Sequence, residues 1–138
     1  KICHLTSAHN RHDIRIFMKE CRSLAKAGYS VTLLCADNNP QENNDTVSII
    51  PTGFSPKNRL DRLKNAKKAM LRTAISIDAD IYHFHDPELL SVGLSLKKKG
   101  RIVIYDTHED VPRQLLTKHG YRDFKENPSL YYLNYTKI

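Results

Sequence analysis

The chain has 138 residues, 40% of them hydrophobic, which is enough for one well-buried core and too few for two domains of ordinary size. Its net charge of +7 points to anionic partners such as phosphate groups, nucleic acid or an acidic membrane surface. No stretch approaches the roughly 20 apolar residues of a bilayer-spanning helix, and Cys3, Cys21 and Cys35 stand singly, which excludes zinc-finger spacing.

The run KICHLTS, Lys1 to Ser7, reads as a buried strand that passes into the polar loop SAHNRHD. From Ile14 the apolar residues Ile14, Phe17, Met18, Cys21, Leu24 and Ala25 make one stripe on a helix, with Asp13 placed to cap it and Gly28 to end it. Tyr29 to Ala36 is a second strand, and DNNPQENND after it reads as turn chemistry without a core. Val47 to Pro51 is a third strand. A helix from about Leu60 to Ile77 has an apolar stripe of Leu60, Leu63, Met70, Leu71 and Ala74, and a basic face opposite. Asp80 to His85 is a fourth strand, Pro87 to Lys99 a helix with proline at its first position, and Ile102 to Tyr105 a fifth strand. From Thr107 on, Pro112, Gly120 and Pro128 punctuate the chain, and Asn127-Pro128 marks the start of a last helix holding Leu130, Tyr131 and Leu133.

Near-continuous apolar strands alternating with helices predict an α/β fold: a doubly wound, Rossmann-like, mostly parallel sheet with helices on both faces, built as a single domain over residues 1–138. Such sheets bind ligands beyond the carboxyl ends of their strands. That rule gathers Thr6, Ser7 and the loop to Arg15, then His85 and Asp86, then Asp106, His108 and Glu109. There is no G-x-G-x-x-G after the first strand and no P-loop, and Ile49, Ile50 and Pro51 stand where a receiver domain carries an aspartate. The lone cysteines read as small core residues of a reduced, cytoplasmic protein.

Four stretches carry candidate chemistry. In YHFHDPELL, His83 and His85 point the same way from a strand, so two imidazoles can face one metal, with only His108 and Glu109 as further ligands. The alternative, which we favour, has no metal: His83 is a satisfied core histidine, and His85 and Asp86 bind loop ends or ligand at the strand's mouth. In YDTHED, four ionisable groups in five positions outside a buried strand must pair with each other or with a ligand. His108 is suited to donate to a sugar hydroxyl or a developing charge, with Glu109 or Asp110 orienting it. In HNRHDIR, Arg15 sits in the first turn of a helix whose end is already positive. That placement suits a docked phosphate or carboxylate, unless Asp13 pairs with Arg15 or caps the helix. The fourth is the run from Lys57 to Arg72, where Arg59, Arg62, Lys64, Lys67 and Lys68 are among seven basic residues against the single acid Asp61. Its one-sidedness suggests an acidic bilayer surface; nucleic acid is not expected, because no aromatics interleave the run.

The segments HLTSAHNRHDIRIFMKECRSLAKAGYSVTLLCA and DADIYHFHDPELLSVGLSLKKKGRIVIYDTHED, in that order, resemble the amino-terminal domain of family 4 glycosyltransferases. These are retaining enzymes in which two Rossmann-like domains face each other, the GT-B fold. The resemblance implies transfer of a sugar from a nucleotide-diphosphate donor to a glycan or lipid-linked acceptor, usually without a metal or other cofactor. It implies that His108 lies close to the donor sugar with Glu109 beside it as catalytic residues, and that Asp13, Arg15, His85 and Asp86 line the substrate cleft. It also implies a basic helix suited to peripheral binding on the inner face of the cell membrane. The glycine pair that many relatives carry after the first strand is missing, so Arg11 and Arg15 would stand in for it. The carboxyl-terminal, donor-binding domain with its E-x7-E motif is also missing, so the chain is expected to be half of a cleft and inactive alone. Half of a nucleotide-sugar epimerase and a non-catalytic Rossmann-like binding module are the other readings.

Overall fold

The computed structural model describes residues 1–44, 46–58 and 61–106, with Arg62 and Leu63 described by their backbone alone. The expected last helix, His108, Glu109 and Arg59 lie outside these residues.

Among the described residues six strands form one sheet in the order β3-β4-β2-β1-β5-β6, where β1 is Ile2–Thr6, β2 Val31–Cys35, β3 Glu42–Asn44, β4 Val47–Pro51, β5 Ile81–Phe84 and β6 Ile102–Tyr105. Every neighbouring pair is parallel except β3 with β4. The expected α/β architecture is present, with one addition. β3 falls in the segment read as a turn: Glu42, Asn43 and Asn44 pair antiparallel with Ile49, Ser48 and Val47. It carries no apolar signal because it is a short edge strand, held by its backbone ladder and by the Ser48 hydroxyl donating to Asn43 Oδ1 at 3.0 Å.

Alternation along the strands sorts side chains to two faces. On one face lies α1, which runs as Ile14–Cys21 in wide π winding and continues as Arg22–Lys26 in α winding. Its Ile16, Phe17, Cys21 and Ala25 pack with Val31, Leu33 and Cys35 of β2 and with Val47 and Ile49 of β4. On the other face lie α2 (Arg62–Ala66 in π winding, then Lys67–Ile77) and α3 (a 3-10 turn Pro87–Leu89, then Leu90–Lys98). Met70, Ala74 and Ile77 of α2 and Leu89, Val92 and Leu96 of α3 pack with Cys3, Leu5, Leu34, Tyr82 and Phe84. Burying each of the larger aliphatic and phenylalanine side chains among them contributes about 1.5–3 kcal/mol, so these two layers dominate stability.

The helix ends follow their local chemistry. Asp13 accepts from the Arg15 and Ile16 amides, both at 2.9 Å, as expected of a cap. Gly28, at φ +92, turns the chain out of α1 while its amide and that of Tyr29 return to Ala25 and Leu24 carbonyls. α2 ends on Asp78 in the left-handed region (φ 52), and the buried Tyr82 hydroxyl locks the exit by donating to Ala74 O and accepting from Ala79 N. All three cysteines are free and buried. Burial pushes the Cys21 and Cys35 thiols up to about 12, so they act as core residues rather than nucleophiles.

Gly93 of α3 sits where no side chain fits. A Cβ there would lie 2.6 Å from Phe84 Cε1 and 3.2 Å from Val103 Cγ1. Gly93→Ala gains helix propensity yet should lower the urea midpoint, and Gly93→Val should cost about 1–3 kcal/mol through overpacking against β5 and β6. Equal or higher stability of Gly93→Val in urea unfolding would contradict this packing.

Candidate functional site

The carboxyl ends of β1, β5 and β6 meet at one rim. Asp86, immediately past β5, is 2% exposed. Its Oδ2 accepts from Ser7 N at 2.6 Å, Thr6 Oγ1 at 3.0 Å, Ala8 N at 3.2 Å and Ser7 Oγ at 3.3 Å, and its Oδ1 lies 3.0 Å from His9 Nδ1. A buried carboxylate needs this many donors to replace lost water. Asp86 thereby fastens the loop after β1, and that loop's amides face Asp86.

Arg15, His85 and Asp106 converge beside it. Arg15 Nη2 donates to Asp106 Oδ2 at 2.5 Å and its Nε to Glu20 Oε1 at 3.3 Å. His85 Nε2 lies 2.9 Å from Glu20 Oε2, and its Nδ1 3.4 Å from Asp106 Oδ2. The π winding of α1 explains the Arg15–Glu20 contact: residues five apart come nearly into line on that wider turn, whereas α winding would carry them well round the helix. Three of the residues singled out from sequence, Arg15, His85 and Asp86, are therefore neighbours on one rim, and Asp13 holds the start of the helix that supplies Arg15.

Below the rim, on the α1 face, lies a cluster that sequence reasoning found only in part. Parallel register sets His4 of β1 beside His83 of β5, and His85 follows two positions on. The His4 and His83 ring centroids are 4.6 Å apart, and those of His83 and His85 4.8 Å. Glu20 closes the group from above, its Oε2 3.7 Å from His4 Nδ1 and 3.9 Å from His83 Nδ1. Among the described residues, neither ring nitrogen of His4 has a hydrogen-bond partner, nor does His83 Nε2. His83 is thus not the satisfied core histidine expected of it. Burial first, then the neighbouring His83 and His85, lowers the His4 pKa to about 3. Burial and then His85 lower that of His83, against the pull of Glu20 and Asp106. No local motif singles out His4 or Glu20. The available signal was the alternation of His4 with Thr6 beside a strand bearing His83 and His85, and a glutamate four residues after Ile16, at the edge of the apolar stripe.

Arg11 does something other than meet a ligand. It is 5% exposed, its Nε and Nη2 grip Asp37 at 2.6 Å each, and Nη1 donates to Glu42 and to Pro40 O, both at 2.6 Å. The guanidinium straps the β1 loop to β3, a buried pairing whose rupture would leave charge uncompensated.

The basic run lies on the layer away from α1. Lys64, Lys68 and Arg72, at helical spacing, are exposed and Lys67 is half-buried, opposite the packed Ala66, Ala69, Met70 and Ala74. A hollow at its start is lined by Phe54, Lys57, Asn58, Asp61, Lys64 and Asn65. No helix among the described residues is long and apolar enough to cross a membrane.

The His4 environment sets a pH dependence. The unfolded chain takes up a proton at this side chain near its ordinary pKa of 6.5, and the folded chain only near 3. Stability is therefore full above about 6.5 and declines as pH falls toward about 3, by up to about 1.4 kcal/mol per pH unit for each proton withheld. His83, shifted in the same direction, steepens the loss. With chelator present, urea midpoints should drop between about pH 7 and pH 4, and His4→Gln should flatten that drop; an unchanged slope in the variant would show that another group is responsible.

Comparison with known proteins bears on this rim. The model of the family described as Glycosyltransferase Family 4 matches residues 15–137, most of the chain, beginning at Arg15 itself. No curated protein and no solved structure matches significantly. Taken with the parallel α/β sheet, the match shows that the chain belongs to Glycosyltransferase Family 4.

Proposed function

We propose that this chain is the amino-terminal, acceptor-side domain of a retaining sugar transferase of the GT-B type, acting with a second Rossmann-like domain that holds the donor. The observation that carries this reading is the convergence of Arg15, His85, Asp86 and Asp106 on the carboxyl rim of a parallel sheet, in a chain of this family. His108 and Glu109 follow Asp106 by two and three residues in sequence. On this reading the anomeric carbon's bond to the diphosphate oxygen breaks, a new bond forms to an acceptor hydroxyl, the hydroxyl proton departs, and the nucleoside diphosphate leaves. His108 stabilises the developing charge or positions the sugar, with Glu109 orienting it. His85 is positioned at the rim by Glu20 and Asp106, and Asp86 holds the β1 loop, which on this reading faces the donor phosphates. Arg15, shared between Glu20 and Asp106, is available to a donor phosphate that competes with those carboxylates.

The full-length protein tests this. With a nucleotide-sugar donor, release of nucleoside diphosphate should require an added acceptor, and His108→Ala should lower kcat by about 10²-fold or more. Acceptor-independent conversion of the donor sugar would instead indicate an epimerase, and no consumption of any donor would leave a binding module.

The α2 face supports a lipid-linked acceptor at an acidic membrane. Like charges three and four residues apart on a helix repel by a few tenths of a kcal/mol per pair, so an all-basic face is stabilised by an anionic counter-surface. Each lysine near such a surface contributes about 1 kcal/mol, and replacing Lys64, Lys67 and Lys68 with glutamate should weaken binding to phosphatidylserine vesicles about a hundredfold or more. Unchanged vesicle binding by the triple variant would reject the membrane role while leaving sugar transfer standing.

A further inference from the structure

We propose that His4, His83, His85 and Glu20 form a binding site for one first-row transition-metal ion, with zinc the best match to the donors. One ligand atom from each of the four lies within 4.8 Å of all the others. Bonds of about 2.0–2.1 Å in tetrahedral geometry hold ligand atoms about 3.4 Å apart, so modest side-chain rotation closes the set around an ion. Three imidazoles and one carboxylate suit zinc, and the lack of thiolate among them disfavours copper(I) or an iron–sulfur centre.

Three further observations support an ion there. First, His4 is 0% exposed and both its ring nitrogens lack hydrogen-bond partners among the described residues, as does His83 Nε2. Buried polar atoms left in this state cost about 1–3 kcal/mol each, and a metal bond relieves one nitrogen of the His4 ring. Second, the outer contacts are those that orient ligands. Arg15 Nε occupies Glu20 Oε1 and leaves Oε2 turned to the imidazoles, while Asp106 Oδ2 stands 3.4 Å from His85 Nδ1, an electrostatic contact beside the cluster. Glu20 and Asp106 against Arg15 leave two negative charges and one positive, a net of −1 that favours a cation. Third, an ion has a way in: His4 and the His85 side chain are buried, but the side chains of His83 and Glu20 are 17% and 22% exposed. The bound ion would pin α1 to β1 and β5 and thereby hold Arg15 at the rim.

The claim concerns metal content and is independent of sugar transfer. The chain is stripped with chelator, checked for folding by circular dichroism, and titrated with Co²⁺. One equivalent should produce the visible bands of a four-coordinate site, displaced by Zn²⁺, and the chain purified without chelator should contain close to one zinc per molecule. His83→Ala and Glu20→Gln, both at the open side of the cluster, should each weaken Co²⁺ binding at least about tenfold, and His12→Ala, outside the cluster, should not. Should the stripped chain fail to refold, zinc content of the three variants as purified gives the same comparison. Absence of stoichiometric metal from the unmodified chain in both measurements, or binding that His83→Ala and Glu20→Gln leave intact, would overturn the site.

Discussion

The register between β1 and β5 governs both the core and the candidate site. Cys3 opposite Tyr82 and Leu5 opposite Phe84 build the apolar layer under α2 and α3, and the same pairing stands His4 beside His83 on the opposite face. A slip of one residue would turn every side chain of β5 over, burying His83 and His85 among leucines and exposing Tyr82 and Phe84. Burial of the two aromatic rings therefore enforces the imidazole cluster, and the loop after β1 reaches Asp86 because β1 and β5 run in the same direction and end together. The hydrophobic effect sets the positions; the polar groups then solve the electrostatic problem those positions create.

They solve it locally. Asp86 is compensated by amides and hydroxyls, Glu20 by imidazoles and Arg15, and Arg11 by Asp37 and Glu42. The basic loop after β1, which in sequence looks like an anion trap, is thus largely balanced by the chain's own carboxylates. The excess of positive charge remains on the outer face of α2, across the sheet from the histidines. Two electrostatic regions of different character are separated by the apolar layers, so charge changes on one should leave the other little altered.

The architecture was legible because its signals are local: apolar runs for β1 and β2, helical spacing in α1, Gly28 where that helix ends, and Pro87 at the start of α3. β3 was not, since Glu42, Asn43 and Asn44 are strand only by virtue of the β4 backbone beside them. Asp13 as a cap could be read from its position, but the π winding that aligns Arg15 with Glu20 could not, because no spacing rule distinguishes it. His83 and His85 were visible as a pair. Their completion by His4 and Glu20 is a product of strand order, which places the first strand next to the fifth, and of the helix that crosses above them. Long-range neighbours of this kind leave no trace in any one window of sequence. His108 and Glu109, read as catalytic, lie outside the described residues.

Strand direction also relates the basic helix to the rim. In a parallel sheet the chain leaves each strand at its carboxyl end, so the segment after Pro51 starts at the edge where Asp86, His85 and Asp106 gather. Phe54, Lys57 and Lys64 line the hollow there, and Lys68 and Arg72 continue the basic stripe along α2 away from it. On the proposed membrane-bound reading, a helix resting on an anionic surface by that stripe would keep the segment between β4 and α2, which starts at the rim's edge of the sheet, near that surface. A lipid-linked acceptor diffusing in that plane would then approach that edge by lateral motion alone, which replaces a three-dimensional search with a two-dimensional one. On the proposed reading a water-soluble donor gains nothing from this placement, so the charge on α2 would bear on the acceptor and not on the nucleotide sugar.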